Sequence, residues 1–356
     1  MDIVRFGLIG YGRVAQMHAQ AIRDSHGGTL VSVCGRNAER RNAFAERWNI
    51  ASRTTVHQMV ELDHIDAVII ATPHPQHHDD AISAFSAGCH VLVEKPMALT
   101  ETECTDMILA SERVGKVLSV VSQQRWFPAN LRIREAIDSG KLGKPALAQA
   151  TLLGWRDQSY YDSDPWRGRW DTEGGGVTIN QGPHLLDLMH WYMGPVERVF
   201  GEWDNVNHPG IEVEDAAVAT IRFAGGGMGS ILLSNAQKPG LHAQVHIHGR
   251  SGASVGVSNS AGSIVTGGKS AASPTNDIWT ISGEEALLTA FKQQDEAFFA
   301  SINPNTYFFS RQIDDFTRSI IEGCRPLVSG EDGRQTVRII EAIYGSGTDH
   351  QPYIFS

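Results

Sequence analysis

Short apolar runs alternate with amphipathic stretches through the first third of the chain. The runs VRFGLIG, TLVSVCG, DAVIIAT, HVLVEK and VLSVVS are rich in Val, Ile and Leu and too short for helices. Between them lie a helical pattern through Ile22 and the segments NAERRNAFAERW, HHDDAISAFSAG and TETECTDMILASERVG. Buried strands alternating with helices predict a parallel sheet covered on both faces, placed over residues 1–122.

The texture then changes. From about residue 145 the apolar positions alternate with polar ones in longer segments: PALAQATLLGW, ERVFGEWDNV, DAAVATIRFAG, GMGSILLSNA and HAQVHIHG. These predict a large, mainly antiparallel open sheet, with a helix containing His184 inserted after its first strand. Residues 251–275 are rich in Gly, Ser and Ala and read as turns or a mobile loop. Amphipathic segments near 307–322 and 331–346 close the chain. The expected class is α/β: a parallel-sheet domain over 1–122 and an α+β domain over 123–356, whose final helices can pack back on the first.

Composition changes this picture little. A chain of 356 residues fits two domains, and 41% apolar with 20% charged residues is ordinary for a globular protein. The net charge of −10 argues against a nucleic-acid partner or an acidic membrane surface, which would need basic patches. The opening MDIVRFGLIGYG reads as a first strand rather than a leader, and no apolar run is long enough to span a bilayer. Cys34, Cys89, Cys104 and Cys324 show no CxxC spacing. Together these features lead us to expect a cytoplasmic protein.

Candidate chemistry begins at GLIGYGRVA. Gly10, Gly12 and Ala15 form G-x-G-x-x-A after a predicted strand and at the opening of a predicted helix. That context suits a dinucleotide: the glycines admit the pyrophosphate, which sits at the helix N-terminus with Arg13 and Val14 beside it. The second run ends in CGRNAERR. No carboxylate stands there for the ribose hydroxyls of NAD; Arg36 and Asn37 follow Gly35 instead. A guanidinium suits a 2′-phosphate, so the reading favours NADP over NAD, with a solvated Arg36 as the alternative.

The histidines in HPQHHDD (His74, His77, His78) and HAQVHIH (His242, His246, His248) have spacings that can bind zinc. Neither group is read as a metal site. In GGGVTINQGPHLLD, one helix would carry Asn180, His184 and Asp187 near one face. From spacing alone, His184 can be a general base, a metal ligand or a satisfied core residue. YYDSDPWRGRWD offers Tyr160, Trp166, Arg167 and Arg169. Aromatic faces and guanidinium forks there suit a polyhydroxylated ring or, equally, anchor a loop. Arg125 can serve the substrate or a hinge.

The order of these motifs resembles the Gfo/Idh/MocA oxidoreductases: the glycine turn, then Ala71-Thr72-Pro73, then Glu94-Lys95-Pro96, then a glycine-led helix with His184. The likeness extends through EVEDAAVATIRFAGG to GEDGRQTVRIIEAIYGS, essentially the whole chain. It implies a Rossmann domain joined to an open-sheet domain. It also implies hydride transfer between a nicotinamide and a carbon of a sugar, sugar derivative or cyclitol, and a homodimer or homotetramer formed through the sheet. It places Thr72, Pro73, His74, His77, Glu94, Lys95 and Gln123 near the cofactor.

The resemblance makes Lys95, aimed by a cis proline, the stabiliser of the reacting oxygen, and His184 the general base. Asn180 stands where the family usually has Asp. An amide carries no proton away, yet it can bond a substrate hydroxyl through either end. Rival activities within the same resemblance are a redox-assisted glycosidase or lyase and a non-catalytic nucleotide sensor.

Overall fold

The computed structural model describes residues 3–260 and 273–355. The chain forms two compact units, one of residues 1–123 with 305–337 and the other of residues 124–304 with 338–356.

The first unit holds six strands: β1 (Val4–Ile9), β2 (Gly28–Cys34), β3 (Ala51–Arg53), β4 (Ala67–Ile70), β5 (His90–Val93) and β6 (Leu118–Val120). Every pairing is parallel, in the order β3-β2-β1-β4-β5-β6. This is the dinucleotide-binding order, and its reversal point lies between β1 and β4. The three-residue β3 is too short to show in the hydrophobic pattern. β1 and β4 are almost wholly buried, as expected of strands covered on both faces.

Helix Arg13–Asp24 packs Ala15, Ala19 and Ile22 into the core beside Phe6 and Leu8. Helix Tyr307–Glu322, from late in the chain, adds Phe309, Ile313 and Phe316 to the same core. Its Gln312 amide accepts from Ser122 N at 3.0 Å and donates to the Val120 carbonyl at 2.7 Å, closing the β6 edge of the sheet.

The second unit is built on β7 (Pro145–Leu153), β8 (Val196–Asp204), β9 (Ala216–Phe223), β10 (Met228–Ser234), β11 (His242–Gly249), β12 (Ser254–Ser260), β13 (Thr275–Trp279) and β14 (Tyr353–Ile354). The order is β13-β12-β11-β7-β10-β9-β8-β14, antiparallel throughout except for the parallel pair β7–β10. The helical excursion between β7 and β8 is what allows that pair, because parallel neighbours need a crossover. β9 alternates strictly: Ala217, Ala219, Ile221 and Phe223 are buried, Val218 and Thr220 exposed.

Part of the turn-rich reading over 251–275 is corrected. Residues 254–260 form β12, whose Val255 and Val257 are buried, and 275 opens β13. Residues 261–272 of that stretch lie outside the described residues. No described helix is long and apolar enough to cross a membrane.

Candidate active site

The glycine turn lies where the parallel order reverses. Gly10 has φ +107°, and a Cβ there would stand 2.6 Å from the Ala71 carbonyl oxygen at the end of β4. A side chain is excluded on both counts. Gly12 differs: a Cβ there would meet only open space. It is the N-cap of helix Arg13–Asp24, with no side-chain cap and no acidic residue in the first turn. The first N–H groups and the positive end of the helix are left for an anion. A bare Gly12 beside uncapped donors fits a dinucleotide pyrophosphate.

At the end of β2, Arg36 is exposed. The Asn37 side chain, expected at the nucleotide, caps helix Ala38–Trp48 by accepting from Arg40 N at 2.9 Å. Its main-chain N–H donates to the Tyr11 hydroxyl at 2.8 Å. Below the same turn, Thr72 donates its hydroxyl to Asp80 at 2.7 Å. Burial raises the Asp80 carboxyl, while Thr72, His77 and Arg36 pull it back down.

His77, also expected at the nucleotide, is instead a brace. It is fully buried, with Nδ1 2.8 Å from the Pro96 carbonyl and Nε2 2.9 Å from the Thr72 carbonyl. Burial holds the imidazole below its usual range, so the neutral ring donates to one of these two carbonyls while packing between the ATP turn and the EKP turn. His74 is buried nearby, its ring 5.9 Å from that of His77. Gln123 is buried with Oε1 unpartnered among the described residues, an acceptor available to a ligand amide.

The residue before Lys95 carries the next constraint. Glu94 Oε1 lies 2.7 Å from His18 Nε2, and Oε2 accepts the Lys95 N–H at 3.1 Å. Burial alone would raise this carboxyl; the bond and charge of His18, with Lys95, outweigh it and hold it below the ordinary glutamate value. His18 is fully buried on the nucleotide helix. One buried pair therefore joins the helix to the segment bearing Lys95, and the Lys95–Pro96 peptide is cis.

In the second unit the glycine run is held by a residue the sequence reading left unassigned. Glu214 accepts from Gly176 N at 2.7 Å, Thr178 N at 2.9 Å and the Tyr344 hydroxyl at 2.9 Å. Side chains at Gly175 and Gly176 would overlap Tyr344 and the Glu214 carbonyl respectively. Burial pushes the Glu214 carboxyl up to about 7, with these donors opposing the rise. Tyr344 is pushed well above its usual range by burial and by Glu214, so it keeps the proton it donates.

The single helix expected to carry Asn180, His184 and Asp187 is broken. Val177–Asn180 is one short helix, and Pro183–Met193 begins anew after Gln181-Gly182. Pro183 supplies no N–H to continue the first helix and starts the second one well. Asn180 ends the first, while His184 is buried in the first turn of the second.

Asp187 lies one turn on and binds the buried Arg125 through both oxygens, at 2.9 and 2.6 Å. Arg125, read as a substrate ligand, thus has a carboxylate partner within its own unit.

Tyr160, Trp166, Arg167 and Asn180 are brought together. The Tyr160 hydroxyl accepts from Arg167 Nη1 at 2.6 Å, Asn180 Nδ2 at 3.1 Å and Gln181 Nε2 at 3.2 Å. The Arg167 guanidinium lies 4.4 Å from the ring centroids of both Tyr160 and Trp166. Arg169 stands apart, exposed and 3.4 Å from each of Asp171 and Glu212. The histidines of β11 also disperse, His246 to Asp277 at 2.8 Å and His248 to Ser254 at 2.7 Å. Among the described residues, no group of three or more His, Cys, Asp or Glu side chains is placed to hold a metal ion.

Comparison with known proteins agrees with this division. The model of an oxidoreductase family with an NAD-binding Rossmann fold matches residues 4–122, and the GFO/IDH/MocA C-terminal domain matches 130–255. The chain is 30% identical to 1,5-anhydro-D-fructose reductase of Ensifer adhaerens over 62% of its own length and 66% of the reductase, just under two thirds. It is 25% identical to the NADP(+)-dependent scyllo-inositol 2-dehydrogenase IolW of Bacillus subtilis, over 98% of this chain and 95% of that one. The WlbA dehydrogenase of Bordetella pertussis, solved with NADH and UDP-GlcNAcA, superposes with a TM-score of 0.87 at 28% identity, over 100% of this chain and 98% of that one.

The Glu214 clamp generates a pH prediction. Its folded-state pKa of about 7 lies above the ordinary glutamate value of 4.5. The folded protein therefore retains a proton there that the unfolded chain gives up. The resulting stabilisation is complete below about pH 4.5 and lost as pH rises through about 7, amounting to roughly 3 kcal/mol. Urea unfolding across this window should show wild type losing stability relative to Glu214→Gln. The opposite trend would show that the three donors hold Glu214 ionised.

Proposed function

Since this chain belongs to the Gfo/Idh/MocA oxidoreductase family, we propose that it is an NAD(P)-dependent dehydrogenase or reductase acting on a CH–OH group of a sugar, sugar derivative or cyclitol. The observation that carries the reading is the Gly10–Gly12 turn at the sheet's reversal point, leading into an uncapped helix N-terminus. The anhydro-sugar and inositol in the relatives' names, and the UDP-GlcNAcA bound in the WlbA dehydrogenase, support the polyol class.

When bound, the nicotinamide supplies the hydride chemistry, and the protein supplies position and field. The glycine turn and helix N-terminus hold the pyrophosphate. Arg36, exposed where NAD-preferring folds place a carboxylate, takes the 2′-phosphate and gives NADP the advantage. Lys95 offers its ammonium to the substrate oxygen as negative charge grows on it. His184 exchanges the hydroxyl proton. Asn180, Tyr160 and Arg167 grip the hydroxyls, with Trp166 as an apolar wall. Leu147, Phe200, Val218 and Leu232 are exposed on the second sheet, and we assign that face to a homodimer or homotetramer contact.

A panel of sugars, sugar acids and inositols, followed by nicotinamide absorbance, tests the reading. At least one polyol should turn over; an inactive panel despite tight nucleotide binding would overturn it. On the active substrate, Lys95→Met should lower kcat by about 10²–10³ and His184→Ala by about 10²–10⁴, with nucleotide affinity preserved. Calorimetric titration should show tighter binding of NADP than NAD. Arg36→Ala should cost about ten- to a hundredfold in NADP affinity and little in NAD affinity. Equal affinities in the wild type would remove the NADP assignment.

A further inference from the structure

The turn that follows β2 is pinned on both sides of one exposed arginine. Ahead of it, the Gly35 carbonyl accepts from Nη1 of the buried Arg41 at 2.8 Å, and the Cys34 carbonyl accepts the Gly10 N–H at 3.0 Å. Behind it, the Asn37 N–H donates to the Tyr11 hydroxyl at 2.8 Å. Arg36 stands between these anchors. Its charge is felt by Asp80, yet among the described residues it forms no ion pair and no side-chain hydrogen bond.

Tyr11 lies between Gly10 and Gly12, where the glycine pattern itself requires no particular side chain. Here that side chain reaches the end of β2. Its ring lies so close to Gly35 that a Cβ there would overlap it, and the Arg40 guanidinium sits 5.4 Å from the ring centroid. Asn37 in turn caps helix Ala38–Trp48, which bears Arg40. One phenol thus joins the glycine turn to the backbone on either side of Arg36.

We propose that Tyr11 is a positioning residue for cofactor choice, holding the turn at 35–37 so that Arg36 meets the 2′-phosphate of NADP from a fixed backbone. This inference rests on the reading of Arg36 as the 2′-phosphate ligand given above. An arginine on an untethered turn loses backbone freedom when a phosphate arrives, and that loss is subtracted from affinity. A turn already held by hydrogen bonds is ordered in the folded protein before any ligand binds. The effect belongs to the phosphorylated cofactor alone. The pyrophosphate is common to NAD and NADP, and the main chain at Gly12 and the helix N-terminus holds it without the Tyr11 hydroxyl.

Tyr11→Phe keeps the ring beside Gly35 and Arg40 and removes only the acceptor of the Asn37 N–H. It is compared with wild type, Arg36→Ala and the double variant Tyr11→Phe/Arg36→Ala by calorimetric titration with NADP and with NAD, and by melting temperature. Tyr11→Phe should melt close to wild type, bind NADP about fivefold more weakly and bind NAD as wild type does; fivefold is about the worth of one neutral hydrogen bond. In the Arg36→Ala background the same change should leave NADP affinity unaltered, because a residue acting only through Arg36 then has nothing to position. An equal loss for NADP and NAD would make Tyr11 a general support of the glycine turn and overturn the proposal. A loss that persists in the double variant would overturn it too, by making the hydroxyl a direct phosphate ligand. A wild type that does not favour NADP, or whose preference survives Arg36→Ala, removes the Arg36 reading and this inference with it. A preference that Arg36→Ala abolishes and Tyr11→Phe leaves intact removes this inference alone.

Discussion

The Glu214 carboxylate, buried and bonded to the N–H groups of Gly176 and Thr178, fixes the bend from which the residues of the second unit are presented. Without an acceptor at that point, the buried N–H groups of a tight glycine turn would be left unpaired, a costly state. The same device recurs. Glu94 accepts the N–H of Lys95, and Glu173 accepts the N–H of Gly168. In each case one oxygen or more is spent on main chain and the rest on a side chain: His18, Tyr344 or Asn180. A buried polar network of this kind is stable only when every member is satisfied, which leaves its geometry little freedom. The three glutamates are the means by which irregular backbone is held still enough to aim chemistry.

The two units divide the work. The first offers a nucleotide turn, a helix end free of competing acids, and a lysine whose backbone is tied through Glu94 to the nucleotide helix. The second offers a polar cluster centred on the Tyr160 oxygen and a histidine in the first turn of its own helix. The cluster is built from amides, a phenol and a guanidinium rather than from apolar walls alone. Under the proposed function such a surface favours polyhydroxylated ligands, because an analogue lacking a hydroxyl would leave a site group unpaired.

Much of this was legible in the chain. The alternation of short apolar runs with amphipathic helices gave the parallel sheet. The glycine pattern gave the nucleotide turn, because the strand–turn–helix context makes Gly10, Gly12 and Ala15 informative. The parallel β7–β10 pair was not legible, since alternation along a strand carries no direction. Nor were β3 and β14, whose few residues show no period. The break between Asn180 and His184 was signalled by Gly182-Pro183, but the i, i+4 spacing was read first.

Glu173 and Glu214 were missed because an isolated glutamate looks like a surface residue. The available signal was their setting, one directly before the glycine run and the other within EVED at the entry to an alternating strand. His77 illustrates the converse case. A histidine after a nucleotide turn suggested ligand contact, and long-range packing sets its ring between the Thr72 and Pro96 carbonyls.

Isotope tracing tests the functional account most directly. A ring-deuterated polyol that the enzyme oxidises would be incubated with NADP and the products examined by NMR. The account predicts deuterium at C4 of the reduced nicotinamide, with none released to water. Label appearing in solvent, with the nicotinamide unlabelled, would contradict it.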